Sequence, residues 1–190
     1  MNIEAAEVFI VAELSQKLPD NLYYHGLHHS LDVTRAALKL AAQEKITDQE
    51  SLTLLKTAAL YHDSGFMHVY QNHEEAGCII VRNVLPDFGY TSVQIDFICR
   101  MIMATKLPQS PQNHLEKILC DADLDYLGRD DYEPIAHTLF LELVARKLIA
   151  DAESWNATQI KFLGSHRYWT DSARKNRDDL KQIHLLGLMK

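Results

Sequence analysis

A histidine and an aspartate stand side by side at Tyr61-His62-Asp63, where an apolar helical pattern runs out. Leu52, Leu55 and Ala59 mark one face at helical spacing, and the next position on that face is His62. The imidazole therefore points at the interior, with a carboxylate one residue further round. An ionised carboxylate is seldom buried without a partner or a metal ion. Three other stretches repeat the arrangement. His29 is followed by Val33, Ala36 or Ala37, and Leu40 on one face, and His73 by Ala76, Gly77, Ile80 and Val84. Asp121-Ala122-Asp123 ends a column that runs through Leu115 and Leu119. Each ionisable group thus closes a stripe that faces a core. Carboxylates gathered there would repel one another or be forced to protonate, and a divalent ion removes that difficulty.

The elements that must carry these residues are helices. Residues 3 to 18 form an amphipathic pattern stopped by Leu18-Pro19-Asp20-Asn21, and a second helix follows His29 to about Glu44. Thr47-Asp48-Gln49-Glu50 has the form of a capping box and starts the helix that ends at His62-Asp63. His73-Glu74-Glu75 opens another, closed by Pro86. Thr91-Ser92-Val93-Gln94 is a second capping box, for a helix to about Thr105. Further helices are predicted over 113–127, from Asp130-Asp131 with Pro134 in the first turn to Ile149, and over about 154–164 and 171–187. No alternating strand pattern, internal repeat or low-complexity linker interrupts them. The expectation is a single all-α domain over 1–190, irregular because helix and loop lengths vary.

The chain has 190 residues, 47% of them hydrophobic and 24% charged, as in ordinary soluble globular proteins. No apolar run approaches a membrane span, and Glu4 and Glu7 stand where a secretion signal would be basic and then apolar. Cys78, Cys99 and Cys120 lie singly in apolar helical patterns, so reduced, buried thiols and a cytoplasmic location are expected. A net charge of −7 disfavours nucleic-acid polymers and anionic membranes as partners. The oligomeric state is not readable.

His29, then His62-Asp63, then Asp123 resembles the ordered H…HD…D signature of the HD superfamily of metal-dependent phosphohydrolases. The resemblance spans about residues 24–128 and implies an all-α HD-domain fold in which these four residues converge on a metal. Ala122-Asp123-Leu124 matches the last ligand, favouring Asp123 over Asp121. Tyr24-His25-Gly26-Leu27-His28-His29-Ser30-Leu31-Asp32-Val33 is similar to the segment opening class I cyclic nucleotide phosphodiesterase domains, where His25 takes the place of the general acid. His73-Glu74-Glu75-Ala76-Gly77 resembles the H-x-x-x-G element whose histidine binds a second metal. No histidine stands near Ala104-Thr105, where such branches supply another ligand. Phe66 and Met67 replace the E-D pair of the ppGpp hydrolases, and the G-Y-P element of the cyclic di-GMP hydrolases is absent.

The resemblance implies a hydrolase in which metal-bound water attacks a small phosphorylated substrate, a nucleotide being the leading candidate. The mixed nitrogen and oxygen ligands suit Mn, Fe, Zn, Co or Ni, with Mg at a carboxylate-rich position. One ion is expected, with Asp63 the residue able to bridge to a second; His25 either donates a proton to the leaving oxygen or binds that second ion. Lys106 and Arg129 are weaker candidates for phosphate contacts, and a helix-end charge is the plainer reading of both. Glu74 or Glu75 is a lesser candidate for a general base. His166, Tyr168 and Arg174 form a polar-aromatic patch of unassigned role, and His28, His68 and His114 read as surface or loop residues. The alternatives from other classes are a diiron HD-type oxygenase and a non-catalytic metal-binding regulatory module.

Overall fold

The computed structural model describes residues 1–190. Nine α-helices follow one another without a strand. They are α1 (Ile3–Lys17), α2 (Leu27–Gln43), α3 (Gln49–Tyr61), α4 (His73–Val84), α5 (Ser92–Thr105), α6 (His114–Asp123), α7 (Tyr132–Ala145), α8 (Ala152–Ser165) and α9 (Asp171–Leu188). Short 3-10 turns cover Ser64–Met67, Leu85–Phe88 and Asp125–Gly128. Helix α2 packs on α3 and α6, and α5 lies against α3, α4 and α6. The main core between them has 28 buried residues, with Leu55, Ile98, Ile102, Ile118 and Leu119 fully enclosed. A second apolar cluster, built on Tyr24, Leu124, Tyr126, Leu127 and Tyr132, sits beside it under α7 and α8. No helix is long and apolar enough to cross a membrane. Cys78, Cys99 and Cys120 are buried and free.

Helix starts follow local chemistry. The Thr91–Gln94 capping box forms reciprocally. The expected box at Thr47 does not form: Asp48 is the cap, its carboxylate accepting from the Ser51 N–H at 2.8 Å. Glu50 turns instead to accept from the Gln94 side chain at 2.7 Å. Asn2, Asn113, Asp151 and Thr170 cap α1, α6, α8 and α9. Helix α6 stops at Asp123, short of the expected residue 127, and α7 stops at Ala145, where Lys147 at φ 58° turns the chain away.

Two glycines let α4 approach the turn after Asp63. A Cβ on Gly65 would lie 1.9 Å from the His73 carbonyl oxygen, and one on Gly77 would lie 3.3 Å from Ser64 Oγ. Gly65 thus serves close packing. Gly65→Ala should cost about 2 kcal/mol or more in urea unfolding, because the clash is with backbone that cannot move aside.

Asp121 is structural. Its buried carboxylate accepts from the Trp169 N–H and from the Thr170 N–H and hydroxyl at 2.7–2.8 Å, fixing the start of α9. His166 precedes that junction; burial, then the neighbouring Lys181 ammonium, pushes its pKa down to about 4. Unfolded His166 therefore takes up a proton between about pH 6.5 and 4 while the folded form does not, so its contribution to stability falls as pH drops through that window. Comparing His166→Gln with the parent by urea unfolding should show the parent losing on the order of 3 kcal/mol more between pH 7.5 and pH 4.

Candidate metal centre and adjoining cavity

The ends of three helices meet at one place. The first turn of α2 supplies His29, the end of α3 His62 and Asp63, and the last residue of α6 Asp123. His29 Nε2 lies 3.1 Å from Asp123 Oδ1 and 3.5 Å from Asp63 Oδ2. His62 Nε2 lies 3.3 Å from Asp63 Oδ2 and 3.4 Å from Asp123 Oδ1. One donor atom from each of His29, His62 and Asp123 falls within 4.8 Å of the others. His62 Nδ1–H donates to the Ala59 carbonyl at 2.7 Å, which leaves Nε2 as the free ring nitrogen. His62 Nε2 and Asp63 Oδ2 are buried and have no hydrogen-bond partner. Orphaned polar atoms of this kind, in a mixed imidazole and carboxylate set, fit a divalent cation.

Electrostatics point the same way. Burial would push Asp63 up, yet the His62, His73 and His25 rings hold it well below the usual carboxylate range. Asp123 is likewise lowered against its own burial, by His29 and His62. Burial would lower His62, but Asp63 and Asp123 hold it well above an ordinary histidine. Positive charge beside these carboxylates favours their ionised form.

His73, the first residue of α4, comes to the other side of Asp63. Its Nε2 lies 3.5 Å from Asp63 Oδ1 and 3.4 Å from Glu74 Oε1. Asp63 thus turns one oxygen to His29 and His62 and the other to His73. Phe66 stacks on His73 with ring centroids 3.8 Å apart and lies 4.4 Å from the His25 ring.

Sequence reasoning missed Glu142. This carboxylate is fully buried on α7, more than a hundred residues from Tyr24 and His25. His25 Nδ1–H donates to Glu142 Oε1 at 2.5 Å, and the backbone N–H groups of Tyr24 and His25 donate to Oε2 at 2.9 and 3.1 Å. The Tyr70 hydroxyl donates to Oε1 at 3.0 Å. Burial would raise Glu142, but the His25 contact and these N–H groups hold it below its ordinary value. A glutamate within Leu139-Phe140-Leu141-Glu142-Leu143, an apolar run in a helix, was the available signal.

A cavity of about 580 Å³ opens onto His25, Asp63, His73, Glu74 and Asp123. Lys106 lines it, tied to Asn72 Oδ1 at 3.0 Å and to Glu75. Arg129 is not brought there: its guanidinium is clamped by Asp32 at 2.7 Å and by Asp131, with Asp125 at 3.6 Å. Tyr168 is buried, its hydroxyl donating to the Leu124 carbonyl, and Arg174 binds the Tyr168 and Trp169 carbonyls; neither they nor His166 line the cavity. His114 pairs with Glu44 at 3.2 Å, and His68 is exposed.

Comparison with known proteins follows from this geometry. The family described as HD domain matches residues 26–125. No curated protein matches the chain significantly. Among solved structures, Bacillus subtilis YpgQ in complex with ADP is 21% identical with a TM-score of 0.68, covering 100% of this chain and 94% of that one. A predicted HD superfamily hydrolase from an uncultured Thermotogales bacterium is 22% identical with a TM-score of 0.64, covering 96% and 88%. The Lin1889 protein of Listeria innocua is 20% identical with a TM-score of 0.66, covering 100% and 97%. These likenesses show a shared fold.

Glu142→Gln keeps the shape but removes the charge that orients His25. Turnover of any substrate should fall by roughly 10²-fold or more, while the metal content of the purified protein, read by atomic emission, stays at the parent level.

Proposed function

The chain belongs to the HD-domain family, and on that footing we propose that it is a metal-dependent phosphohydrolase acting on a small phosphorylated substrate. The observation that carries the reading is the convergence of His29, His62, Asp63 and Asp123, two of whose buried donor atoms have no partner in the protein. Those four residues would hold the first ion. Bound there, a divalent ion lowers the pKa of water and offsets charge developing on a phosphoryl oxygen. His73 and Glu74, with Asp63 Oδ1, would take a second ion.

The chain's own groups supply the rest. His25 shares the cavity with Asp63 and Asp123, and Glu142 fixes its Nδ1–H, so when the ring is protonated its Nε2–H is the one free to donate to the leaving oxygen. Phe66 packs the rings of His25 and His73 and limits their rotation. Tyr24 presses on the His29 ring, with centroids 4.5 Å apart, and shields that side of the site. The ADP in the Bacillus subtilis neighbour supports a nucleotide as the substrate to try first. We also propose that residues 1–190 act as one catalytic domain, since the cavity wall draws on segments from Tyr24 to Leu163.

The paired donor groups on either side of Asp63 favour one other reading, a diiron oxygenase. Iron content with substrate-dependent oxygen uptake, in place of phosphate release, would distinguish it.

A panel of phosphoesters assayed under Mn, Fe, Zn, Co, Ni and Mg tests the proposal. Hydrolysis of at least one is expected, lost on Asp63→Ala together with bound metal. His25→Ala should lose about 10²-fold or more in kcat with first-site metal retained. Absence of hydrolysis under every metal would refute the reading.

A further inference from the structure

Beyond its polar end the cavity continues into a chamber that the chemistry above does not use. A phosphate with its ions fills only a few water-sized volumes, roughly 100–150 Å³ at about 30 Å³ each. The cavity holds about 580 Å³, and 14 of its 25 lining residues are hydrophobic. The far walls are Tyr126, Tyr132, Leu139, Leu143, Trp155 and Phe162. Leu139, Trp155 and Phe162 pack on the second apolar cluster yet stay only partly buried, so the chamber is lined and not filled. Tyr126 and Tyr132 are buried and stack on each other, so the partly buried rings of Trp155 and Phe162 are the ones on which another flat group can stack.

Charge narrows the ligand further. The lining carries Asp63, Glu74 and Asp123 against the His25 and His73 imidazoles, which face those carboxylates or Glu142, and one lysine, Lys106, which already binds Glu75 and Asn72. No guanidinium reaches the cavity, because Arg129 is held by Asp32 and Asp131. Each phosphate in a chain adds about one to two negative charges. Polyphosphates are ordinarily held by several arginine, lysine or backbone N–H donors. This cavity has room for a large body but few fixed charges for a second or third phosphate.

We propose that the substrate is an ester of one phosphate whose other half is an uncharged, flat aromatic group seated in this chamber. Leu139, Leu143, Trp155 and Phe162 then set specificity, and the inference rests on the phosphohydrolase reading of the metal end. A nucleoside monophosphate or another aryl-bearing monophosphate satisfies it; inorganic triphosphate and nucleoside triphosphates do not.

The test uses the full chain and two readouts. Calorimetric titration of the metal-loaded His25→Ala protein, whose turnover is slowed, with 1-naphthyl phosphate, AMP, ATP, glycerol 2-phosphate and inorganic triphosphate gives binding; kcat and KM of the parent for the same compounds with Mn²⁺ give turnover. 1-Naphthyl phosphate or AMP should exceed glycerol 2-phosphate and both triphosphates by at least about tenfold in affinity and in kcat/KM. Leu143→Arg and Trp155→Ala, each checked for helical content by circular dichroism, should collapse that ratio toward unity mainly through KM. Preference for a triphosphate, or no preference between aromatic and glycerol esters, overturns the inference even if hydrolysis occurs. Binding with the expected ratio, lost in both variants but without hydrolysis under any metal, upholds the chamber and overturns the phosphohydrolase reading instead.

Discussion

The structure turns on the cost of burying carboxylates. Asp63 is nearly enclosed, and Asp123 sits at the cavity floor within 3.5 Å of two imidazoles. Ionised groups in such a place cost several kcal/mol each unless opposite charge stands beside them. The protein answers with His29, His62 and His73, yet leaves His62 Nε2 and Asp63 Oδ2 unbonded. A cation would complete what the side chains leave open. Every element around the site is arranged to hold those donors together at a few ångströms.

Helix ends do the holding. Histidines at the starts of α2 and α4 face His62-Asp63 at the end of α3 and Asp123 at the end of α6. Residues at the ends of helices can turn inward without breaking a hydrophobic stripe further along. Gly65 and Gly77 bring α4 onto the turn after Asp63, and Phe66, between them in sequence, stacks on His73. Asp121 faces the other way, to Thr170, and locks α6 to the start of α9. Two aspartates two residues apart on one helix therefore do separate work, one for the fold and one facing the cavity.

Much of this was legible along the chain. Apolar spacing gave the order of the helices, and the positions of His29, His62, Asp63, His73 and Asp123 at stripe ends placed them toward the interior. Boundaries were read less well. The cap at the start of α3 is Asp48 and not Thr47, because one residue's difference decides which oxygen reaches the Ser51 N–H. The 3-10 turns at Ser64–Met67 and Asp125–Gly128 are too short to leave a periodic pattern. Arg129, a weaker candidate for a phosphate contact, is held by Asp32, 97 residues earlier in the chain.

What the sequence determined by itself is the local chemistry: which residues are donors, which faces are apolar, and which helices carry them. Those features repeat within one or two helical turns, so spacing alone displays them. The pairing of His25 with Glu142, the two-sided use of Asp63 and the aromatic chamber under α7 and α8 belong to the tertiary structure alone. Each joins segments far apart in the chain, and nothing in the period of a helix records which distant segment will be packed against it. Burial makes those pairings matter, since a charge removed from water must find its partner wherever the fold supplies one.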